Sequence, residues 1–240
     1  MKKIKDFGYN ERLFSSGLRS RLHYARYELL KSWLTELNCA TKRVLELGCF
    51  DGKAINFLPT PPEYYLGFDA NWEGGLSIAR EKWKDNINYV FRECTVPEQM
   101  DVGEERFDVS ICMETLEHLP PETVSSYLGK LANSTENYLF VTIPNETGPF
   151  FFVKHLIKAM VGDTQKYELS ELFHQTIGNT ERVERDQHKG FNYKNMVQEI
   201  SNHFEIQKVS GYPLTLLPPG MNYGIGIIAK KRHKPGGFQA

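Results

Sequence analysis

Short apolar runs that alternate with helical sequence constrain the fold of this chain more than any other feature. Strands are predicted at 43–47, 64–68, 87–92, 107–113 and 138–143, and helices at 20–37, 53–58, 75–84 and 121–132. Alternation at this spacing predicts a parallel sheet with helices on both faces. Two further β-like runs, 204–211 and 223–230, are joined by a Pro-rich stretch with no room for a packed helix. They are predicted to form an antiparallel pair at one edge of the sheet.

Charge balance and cysteine usage argue against several classes of protein. The 240 residues hold 29 Lys and Arg against 30 Asp and Glu, so the chain has no overall positive field to attract nucleic acid. No apolar run approaches the roughly 20 residues of a membrane span, and the first residues do not lead into a signal peptide. The four cysteines show no CxxC spacing, which suits reduced thiols. We expect a cytoplasmic protein without a membrane span, whose partner is a small molecule rather than nucleic acid.

Two strand ends carry residues suited to bind a nucleoside. The first strand runs into Gly48 and Gly52, where the missing side chains allow a tight turn and the close approach of a ligand. Their spacing is not the G-x-G-x-x-G pattern that seats a pyrophosphate on a helix N-terminus. Asp69, at the end of the second strand, stands where a carboxylate can accept both hydroxyls of a ribose. The combination indicates a nucleoside that lacks phosphates.

Four segments resemble, in order and spacing, the motifs of class I S-adenosylmethionine-dependent methyltransferases. They are VLELGCFDG at 44–52, LGFD at 66–69, FDVSICMETLEH at 107–118 and VTIPN at 141–145. The resemblance implies a Rossmann-like α/β fold: a seven-stranded, mostly parallel sheet with an antiparallel C-terminal edge hairpin and helices on both faces. It also implies S-adenosylmethionine as the cofactor and S-adenosylhomocysteine as the product.

We expect one methyltransferase domain over 1–240, built from five parts. They are an N-terminal helical cap (1–40), a cofactor-binding core (41–144), a cap insertion (145–190), a closing helix and strands (191–230) and a solvated tail (231–240). Within the insertion, 153–160 and 169–177 have helical sequence. The insertion either covers the site or only closes the core beside the last helix.

The resemblance also implies which residues contact the cofactor. Glu46 would anchor the methionine amino group, Asp69 would hold the ribose hydroxyls, and Met113 would lie near the methionine portion. The implied contact set is completed by Gly48, Cys49, Gly52, Ala70, Asn71 and Trp72. Many relatives carry an acid near the adenine amine after the third strand, whereas this chain has Glu-Cys-Thr at 93–95. The residue that meets the adenine amine therefore stays open.

A cluster of acids and a histidine follows the fourth strand. Glu114, Glu117 and His118 stand at i, i+3 and i+4, so on a helix they would share one face over the expected methyl position. With His188 as a fourth ligand, they form a set suited to Mg²⁺ or Mn²⁺ and similar to the metal set of small-RNA 2′-O-methyltransferases. In the alternative without a metal, His118 is only a capping or positioning residue.

The same cluster supplies candidate catalytic residues. The sulfonium of the cofactor already activates the methyl group, so the remaining task is to remove the proton of a hydroxyl acceptor. His118 is the best candidate base because its ordinary pKa of about 6.5 lies in the working range. His188 is the second candidate, and Glu117 belongs to the same set. An amine acceptor needs no such group, so the cluster favours oxygen as the methylated atom.

The N-terminal helix carries candidate substrate-binding residues. They are Arg19, Arg21, His23, Tyr24 and Arg26, which either bind a phosphate or sugar above the cofactor or form a solvated helix face. The pattern from 19–27 through 188–191 resembles bacterial methyltransferases associated with surface polysaccharide assembly. That resemblance implies, as the acceptor, a sugar hydroxyl or phosphoryl oxygen of a small glycosyl or phosphorylated precursor.

The sequence leaves three other functions open. One is an RNA 2′-O-methyltransferase, against which the balanced charge counts. Another is a quinone-pathway O-methyltransferase, for which 150–160 would form an apolar substrate entry. The third is a catalytically silent cofactor-binding subunit that partners another protein.

Overall fold

A seven-stranded sheet organises the structure, a computed structural model that describes residues 10, 14, 17–160, 167–186 and 188–232. The strands are β1 (Arg43–Leu47), β2 (Tyr64–Asp69), β3 (Tyr89–Glu93), β4 (Phe107–Met113), β5 (Thr135–Pro144), β6 (Phe204–Tyr212) and β7 (Gly224–Lys231). Their order across the sheet is β3-β2-β1-β4-β5-β7-β6. Strands β1 to β5 pair in parallel, whereas β7 runs antiparallel to both β5 and β6. The predicted mixed sheet with an antiparallel C-terminal hairpin is confirmed.

The strand order determines where a ligand can bind. β1 has β2 on one side and β4 on the other, so the chain winds away from β1 in both directions. In such a sheet the ligand crevice lies at the carboxyl ends of the strands, at this point of reversal. Glu46 near the end of β1 is level with Gly67 of β2 and Ile111 of β4. The residues that follow these three strands therefore meet at one edge.

Helices cover both faces of the sheet. They are α1 (Gly17–Glu36), α2 (Gly75–Lys82), α3 (Pro121–Ser134), α4 (Gly148–Met160), α5 (Leu169–Ile177) and α6 (Tyr193–His203). One buried apolar cluster includes Leu30 of α1 and Leu76 of α2, and a second includes Leu128 of α3 and Ile200 of α6. Because both faces are covered, the parallel strands are buried on both sides and have the dense apolar sequence from which they were predicted.

Several elements differ from the predictions at their boundaries. The stretch after Gly52 is a short 3₁₀ turn (Lys53–Phe57) rather than an α-helix, because Gly52 enters it in a left-handed conformation and Leu58 is already extended. Helix α2 ends at Lys82, before the predicted boundary, and β3 begins later than predicted, since Ile87 is 90% exposed ahead of it.

Helix α1 belongs to the core as well as to the predicted N-terminal cap. Leu30, Trp33 and Leu34 are buried, in the same apolar cluster as residues of the sheet. Gly226 of β7 makes this close approach possible, because a Cβ there would lie only 2.4 Å from Cδ2 of Leu29. The C-terminal half of α1 therefore packs on the sheet.

The insertion at 145–190 is tied to the end of β5. Gln175 of α5 is fully buried, and its Nε2 donates to the carbonyl oxygens of Glu146 at 2.6 Å and Phe191 at 3.0 Å. Lys154 of α4 donates to the carbonyl oxygen of Asn145 at 3.0 Å. From residue 233 onward, the predicted tail lies outside the described residues. Within the described ranges, no helix has both the length and the apolar character needed to cross a membrane.

Replacing Leu34 by alanine tests the docking of α1. We expect Leu34→Ala to lower the free energy of unfolding by about 2 to 5 kcal/mol, because truncating a fully buried leucine leaves a cavity. Leu37→Ala is the matched control, since Leu37 is 36% exposed and its truncation removes little buried surface. Urea denaturation followed by circular dichroism measures both variants, and equal losses would contradict the docking.

Candidate active site

A buried carboxyl group lies near the carboxyl end of β1. Glu46 is 2% exposed, and the hydroxyl of Tyr65 on β2 donates a hydrogen bond to it. Burial raises the pKa of Glu46 to about 8; the charges of Asp51 and Asp69 also raise it, and the Tyr65 hydrogen bond opposes the rise. A cation bound here would be stabilised, because it would offset the repulsion among these carboxyl groups.

The turn after β1 contacts both β2 and the segment after β4. Gly48 has a φ of 79°, and the N–H groups of Gly48 and Cys49 donate to the carbonyl oxygen of Phe68 at 2.7 and 3.1 Å. A Cβ on Gly48 would lie 1.9 Å from Oγ1 of Thr115, so a larger residue would force the two segments apart. The turn therefore holds the predicted cofactor-binding segment against the residues that follow β4.

Asp69 ends β2 with its carboxylate fixed by the backbone. The N–H of Phe50 donates to Oδ2 at 3.0 Å, and the N–H of Asn71 donates to Oδ1 at 2.8 Å. Burial raises the pKa of Asp69, and these backbone hydrogen bonds act to lower it. Each oxygen still has a lone pair with which to accept a ribose hydroxyl. The geometry is compatible with the ribose-binding role that the resemblance implies.

The backbone on either side of Asp69 adopts unusual conformations. Phe50, Asn71 and Glu73 have φ values of 45°, 60° and 48°, in the left-handed region that residues other than glycine rarely occupy. Backbone of this kind is concentrated at ligand sites. Trp72 is 55% exposed, and the centre of its ring lies 6.5 Å from that of Phe50. Phe50 is joined to the Asp69 carboxylate through its backbone N–H, and Ala70, which follows Asp69, is exposed. The sequence predicts the adenosine beside 70–72.

Asp51 is a charged residue of this turn that the sequence analysis did not single out. It is 4% exposed, and its carboxylate accepts hydrogen bonds from the Lys53 N–H and from Nδ2 of Asn10, both at 3.1 Å. Nζ of Lys53 and Nζ of Lys82 lie 3.5 and 3.8 Å from Oδ2. These partners connect the glycine turn to α2 and to the N-terminal segment, and neighbouring Gly52 packs against Trp83.

The segment after β4 does not form the helix that the spacing predicts. Met113 ends β4 and is buried, but Glu114 has a φ of 50° and its N–H donates to the carbonyl oxygen of Thr142 at 2.8 Å. Only Leu116–His118 forms a single 3₁₀ turn. The carboxylate of Glu114 accepts a hydrogen bond from the Tyr212 hydroxyl at 2.8 Å. The prediction of one helical face for the two acids and the histidine is therefore wrong.

Glu117, His118 and His188 nevertheless lie together. Glu117 is 1% exposed, and neither carboxyl oxygen accepts a hydrogen bond from another residue in the described part of the chain. Oε1 of Glu117 lies 3.9 Å from Nε2 of His118, and the rings of His118 and His188 pack edge-on with their centres 4.8 Å apart. Burial and the charge of Glu114 raise the pKa of Glu117, whereas burial lowers the pKa of His118. Burial thus favours the neutral form of both the His118 imidazole and the Glu117 carboxyl group.

The four predicted metal ligands do not converge on one coordination site. Glu114 is bound to Tyr212, and Nδ1 of His188 lies 4.0 Å from Oε1 of Glu146. Across the ranges described, no group of three or more His, Cys, Asp and Glu side chains is arranged to hold a metal ion. The structure therefore does not support the predicted Mn²⁺ or Mg²⁺ site of Glu114, Glu117, His118 and His188. The ligand spacing assumed a helix that 114–118 does not form.

Helix α1 brings two of the five predicted substrate residues into the site. His23 and Arg26 are 9% and 4% exposed, whereas Arg19 and Arg21 are exposed and Tyr24 is half-buried. Nε2 of His23 lies 3.4 Å from the hydroxyl oxygen of Tyr223. The positive charge of Arg26 acts to lower the pKa values of buried acids in both parts of the site, Glu46, Glu117, Tyr212 and Tyr223. The solvated helix face is therefore limited to Arg19 and Arg21.

Comparison with known proteins shows what the segments around this site are similar to. Residues 44–137 match the family model described as "Methyltransferase domain". The matched residues include three of the four segments that resemble class I S-adenosylmethionine-dependent methyltransferases. The ubiquinone biosynthesis O-methyltransferase of Hahella chejuensis is 29% identical over 133 residues, which are 53% of this chain and 56% of that protein. The protein of the same name from Pseudomonas fluorescens Pf0-1 is 27% identical over 124 residues, 50% of this chain and 53% of that one. The chain thus spans about half the length of the curated relatives it matches.

Solved structures share the fold of the methyltransferase domain. An S-adenosylmethionine-dependent methyltransferase from Clostridium acetobutylicum has a TM-score of 0.65 at 12% identity, covering 92% of this chain and 97% of that one. The magnesium protoporphyrin IX methyltransferase of Synechocystis, solved with bound S-adenosylhomocysteine, has a TM-score of 0.56 at 14% identity and covers 92% of both chains. At these identities the likeness establishes the fold, and the predicted Rossmann-like architecture is confirmed.

Several residues around the candidate site are not among the predicted site residues. They are Tyr65, Glu146, Arg185, Tyr212 and Tyr223. Glu146 directly follows the VTIPN motif, and this position after a strand could have marked it as a site residue. The tyrosines and Arg185 come from segments distant in sequence and reach the site only through the tertiary fold. No local pattern distinguishes them from ordinary core or surface residues.

His23 is expected to titrate with a strongly lowered pKa. Burial, together with the charges of Arg26 and Arg19, lowers the pKa of His23 from 6.5 to about 4. Above pH 6.5, His23 is neutral in both the folded and the unfolded state, so its burial does not reduce the free energy of unfolding. As the pH falls from 6.5 towards 4, the unfolded chain binds a proton at His23 and the folded protein does not, so the free energy of unfolding decreases. An NMR titration measures the pKa, with the His23 resonance assigned by its loss in His23→Gln. A value near 6.5 would show that the ring is solvated and would contradict its burial against Tyr223.

Proposed function

We propose that the chain is an S-adenosylmethionine-dependent O-methyltransferase that acts on a hydroxyl group of a small polar acceptor. One observation carries the proposal: neutral His118, with Glu117 beside it, lies on the segment that contacts the Gly48 turn through Thr115. A group able to accept a proton is therefore placed at the same edge of the sheet as the cofactor motifs. Transfer to an amine would not require such a group.

The residues at the ends of β1 and β2 fit the cofactor. The charged form of Glu46 is disfavoured by burial and by Asp51 and Asp69, and a bound ammonium group would offset this. The carboxylate of Asp69 is fixed by two backbone N–H groups and keeps lone pairs for two ribose hydroxyls. In the proposal, Glu46 holds the methionine amino group and Asp69 holds the ribose. When bound, S-adenosylmethionine supplies a methyl group already activated by its sulfonium.

His118 performs the proton transfer in this proposal. Burial lowers its pKa, so the ring is neutral at pH 7 and accepts the hydroxyl proton at a ring nitrogen. A proton on Nε2, which lies 3.9 Å from Oε1 of Glu117, favours the charged form of that carboxyl group. His188 packs edge-on against the ring and restricts its orientation.

The polar character of the site favours a sugar hydroxyl or a phosphoryl oxygen of a small precursor as the acceptor. Beside the two histidines, the described residues include the guanidinium of Arg185, the hydroxyl of Tyr223 and the Glu146–Lys154 ion pair at 2.8 Å. Such groups bind hydroxyl and anionic oxygen atoms. The association with surface-polysaccharide precursors stays a prediction from the sequence, because the names of the relatives given above do not mention it.

A second candidate is an apolar acceptor of the quinone type, the class that the curated relatives' names contain. The specific observation is a set of exposed apolar side chains on α4 and α5, which are Phe152, Val153, Leu156, Leu169, Phe173 and Ile177. Exposed apolar side chains that form a contiguous patch are typical of a binding surface, whereas apolar residues exposed singly are not. Co-sedimentation with lipid vesicles distinguishes the candidates: an apolar substrate entry predicts protein in the pellet, and protein that stays in solution removes this candidate.

Asp69→Asn tests the cofactor site. We expect it to weaken S-adenosylhomocysteine binding at least about tenfold, because the amide replaces one acceptor oxygen by a donor that faces a backbone N–H. Asp85→Asn is the matched control, since Asp85 is exposed in the loop after α2. Isothermal titration calorimetry measures both affinities. Equal affinity in the two variants would contradict the ribose-binding role of Asp69.

His118→Gln tests the proton transfer. We expect turnover to fall by about 10² to 10⁴, the usual contribution of a general base, with S-adenosylhomocysteine affinity unchanged. The control is His203→Gln, because the ring of His203 contacts Ser125 of α3 and Glu199 of α6, which are not candidate site residues. Transfer of a labelled methyl group to a panel of sugars, sugar phosphates and catechols measures turnover. Full activity in His118→Gln would exclude His118 as the general base. Cofactor binding by the wild type without any methyl transfer would instead indicate the catalytically silent subunit.

A further inference from the structure

Arg185 is a site residue that takes no part in the cofactor binding and proton transfer proposed above. Its Nη2 donates to the carbonyl oxygen of Glu117 at 2.8 Å, and its guanidinium carbon lies 5.0 Å from the centre of the Phe191 ring. These two contacts fix the plane of the guanidinium. Nη1 is buried and finds no hydrogen-bond partner within the described residues. A buried donor of a charged group left without an acceptor is costly, and a ligand oxygen that accepts from it would be strongly favoured.

The carboxyl group of Glu117 is the second unsatisfied group at this place. Both of its oxygens are buried, and among the described residues no other side chain or backbone group donates to them. Burial lowers the pKa of Arg185, and the charge of Glu117 acts to raise it. A charged donor and two acceptor oxygens thus stand side by side. This arrangement is complementary to a ligand that carries both an anionic oxygen and a hydroxyl group.

His118 and His188 connect this pair to the solvent. The His118 side chain is 48% exposed and the His188 side chain is 34% exposed, whereas Glu117 behind them is 1% exposed. The guanidinium of Arg185 lies near the same segment, because its Nη2 donates to the carbonyl oxygen of Glu117, the residue before His118. A ligand that reaches Arg185 and Glu117 from the solvent side therefore passes the candidate base.

We propose that Arg185 binds an anionic oxygen of the acceptor, from a carboxylate or a phosphate, while Glu117 accepts a hydrogen bond from the adjacent hydroxyl that becomes methylated. The inference rests on the proposed function and narrows its substrate class to a hydroxyl group next to an oxyanion. The hydroxyl proton passes first to Glu117 and from its Oε1 to Nε2 of His118, which lies 3.9 Å away. The oxygen forms a bond to the methyl carbon as the sulfur–carbon bond breaks, and the sulfur keeps the electron pair of that bond. The flat, fixed guanidinium suits a planar carboxylate or a phosphate better than a neutral group.

Matched probes and variants test the anion site. The probes are 2-hydroxybenzoate, its neutral isostere 2-hydroxybenzamide and glycerol 2-phosphate, titrated into S-adenosylhomocysteine-loaded protein and followed by ligand-observed NMR. The variants are Arg185→Gln, Arg185→Lys and the control Arg182→Gln, which removes an exposed arginine from the same part of the chain. S-adenosylhomocysteine affinity and the melting temperature are measured for every variant. These two controls separate loss of the anion site from loss of the fold.

We expect the wild type and Arg182→Gln to bind 2-hydroxybenzoate or glycerol 2-phosphate at least about tenfold more tightly than 2-hydroxybenzamide. The preference should fall to about one in Arg185→Gln and be partly retained in Arg185→Lys, which keeps the charge but not the planar fork. Preference for only 2-hydroxybenzoate identifies the anionic group of the acceptor as a carboxylate, and preference for only glycerol 2-phosphate identifies it as a phosphate. Absence of the preference in the wild type, or its survival in Arg185→Gln, would overturn the inference even if the cofactor binds. Failure of S-adenosylhomocysteine to bind would instead overturn the proposed function, while an Arg185-dependent preference would still uphold the anion site.

Discussion

Burial of carboxyl groups at the carboxyl edge of the sheet is the constraint on which the rest of the site depends. Glu46 and Glu117 are almost inaccessible to solvent, and burial raises the pKa of each. An uncompensated buried carboxylate is costly, so the protein either keeps the group protonated or provides a partner of opposite charge. The hydroxyl of Tyr65 and the charge of Arg26 are the compensations that the fold provides for Glu46.

The compensating groups come from parts of the chain that are far apart in sequence. Arg26 is on α1, which can reach the site because its C-terminal half packs on the sheet over Gly226. Tyr212 ends β6 and donates to Glu114, and Tyr223 directly precedes β7. The antiparallel hairpin pairs with β5, which carries these tyrosines to the same edge as Glu46. The proposed cofactor half of the site is therefore local to β1 and β2, whereas the proposed acceptor half is assembled from segments that are far apart in sequence.

This division explains what could be predicted from the sequence. The strands, their parallel arrangement, the glycine turn and the position of Asp69 follow from local patterns, because a buried strand and a strand-to-helix turn each have a sequence signature. The predicted arrangement of Glu114, Glu117 and His118 on one helical face is wrong because it assumed helical geometry. The left-handed backbone at Glu114 has no sequence signature that would have excluded the helix. The His118–His188 contact joins two of the predicted catalytic residues, although the described residues do not support the metal set in which they were also grouped.

The remaining differences are also tertiary in origin. The sequence could show that α1 carries cationic residues, but not that Arg26 is buried while Arg21 is exposed. The partners of Arg185 could not be predicted either, because its hydrogen bond to Glu117 joins residues that are 68 positions apart. Charge pairing between distant segments depends on packing that a single sequence does not display.

The central claim is that the buried carboxyl group of Glu46 receives the cationic amino group of the cofactor. Calorimetric titration of S-adenosylhomocysteine into the wild-type protein at pH 7, in two buffers with different enthalpies of ionisation, tests it most directly. With a pKa of about 8, Glu46 is mostly protonated at pH 7 in the free protein and must ionise to hold an ammonium group. The account predicts binding accompanied by the release of close to one proton. Absence of binding, or a binding heat that is the same in both buffers, would contradict it.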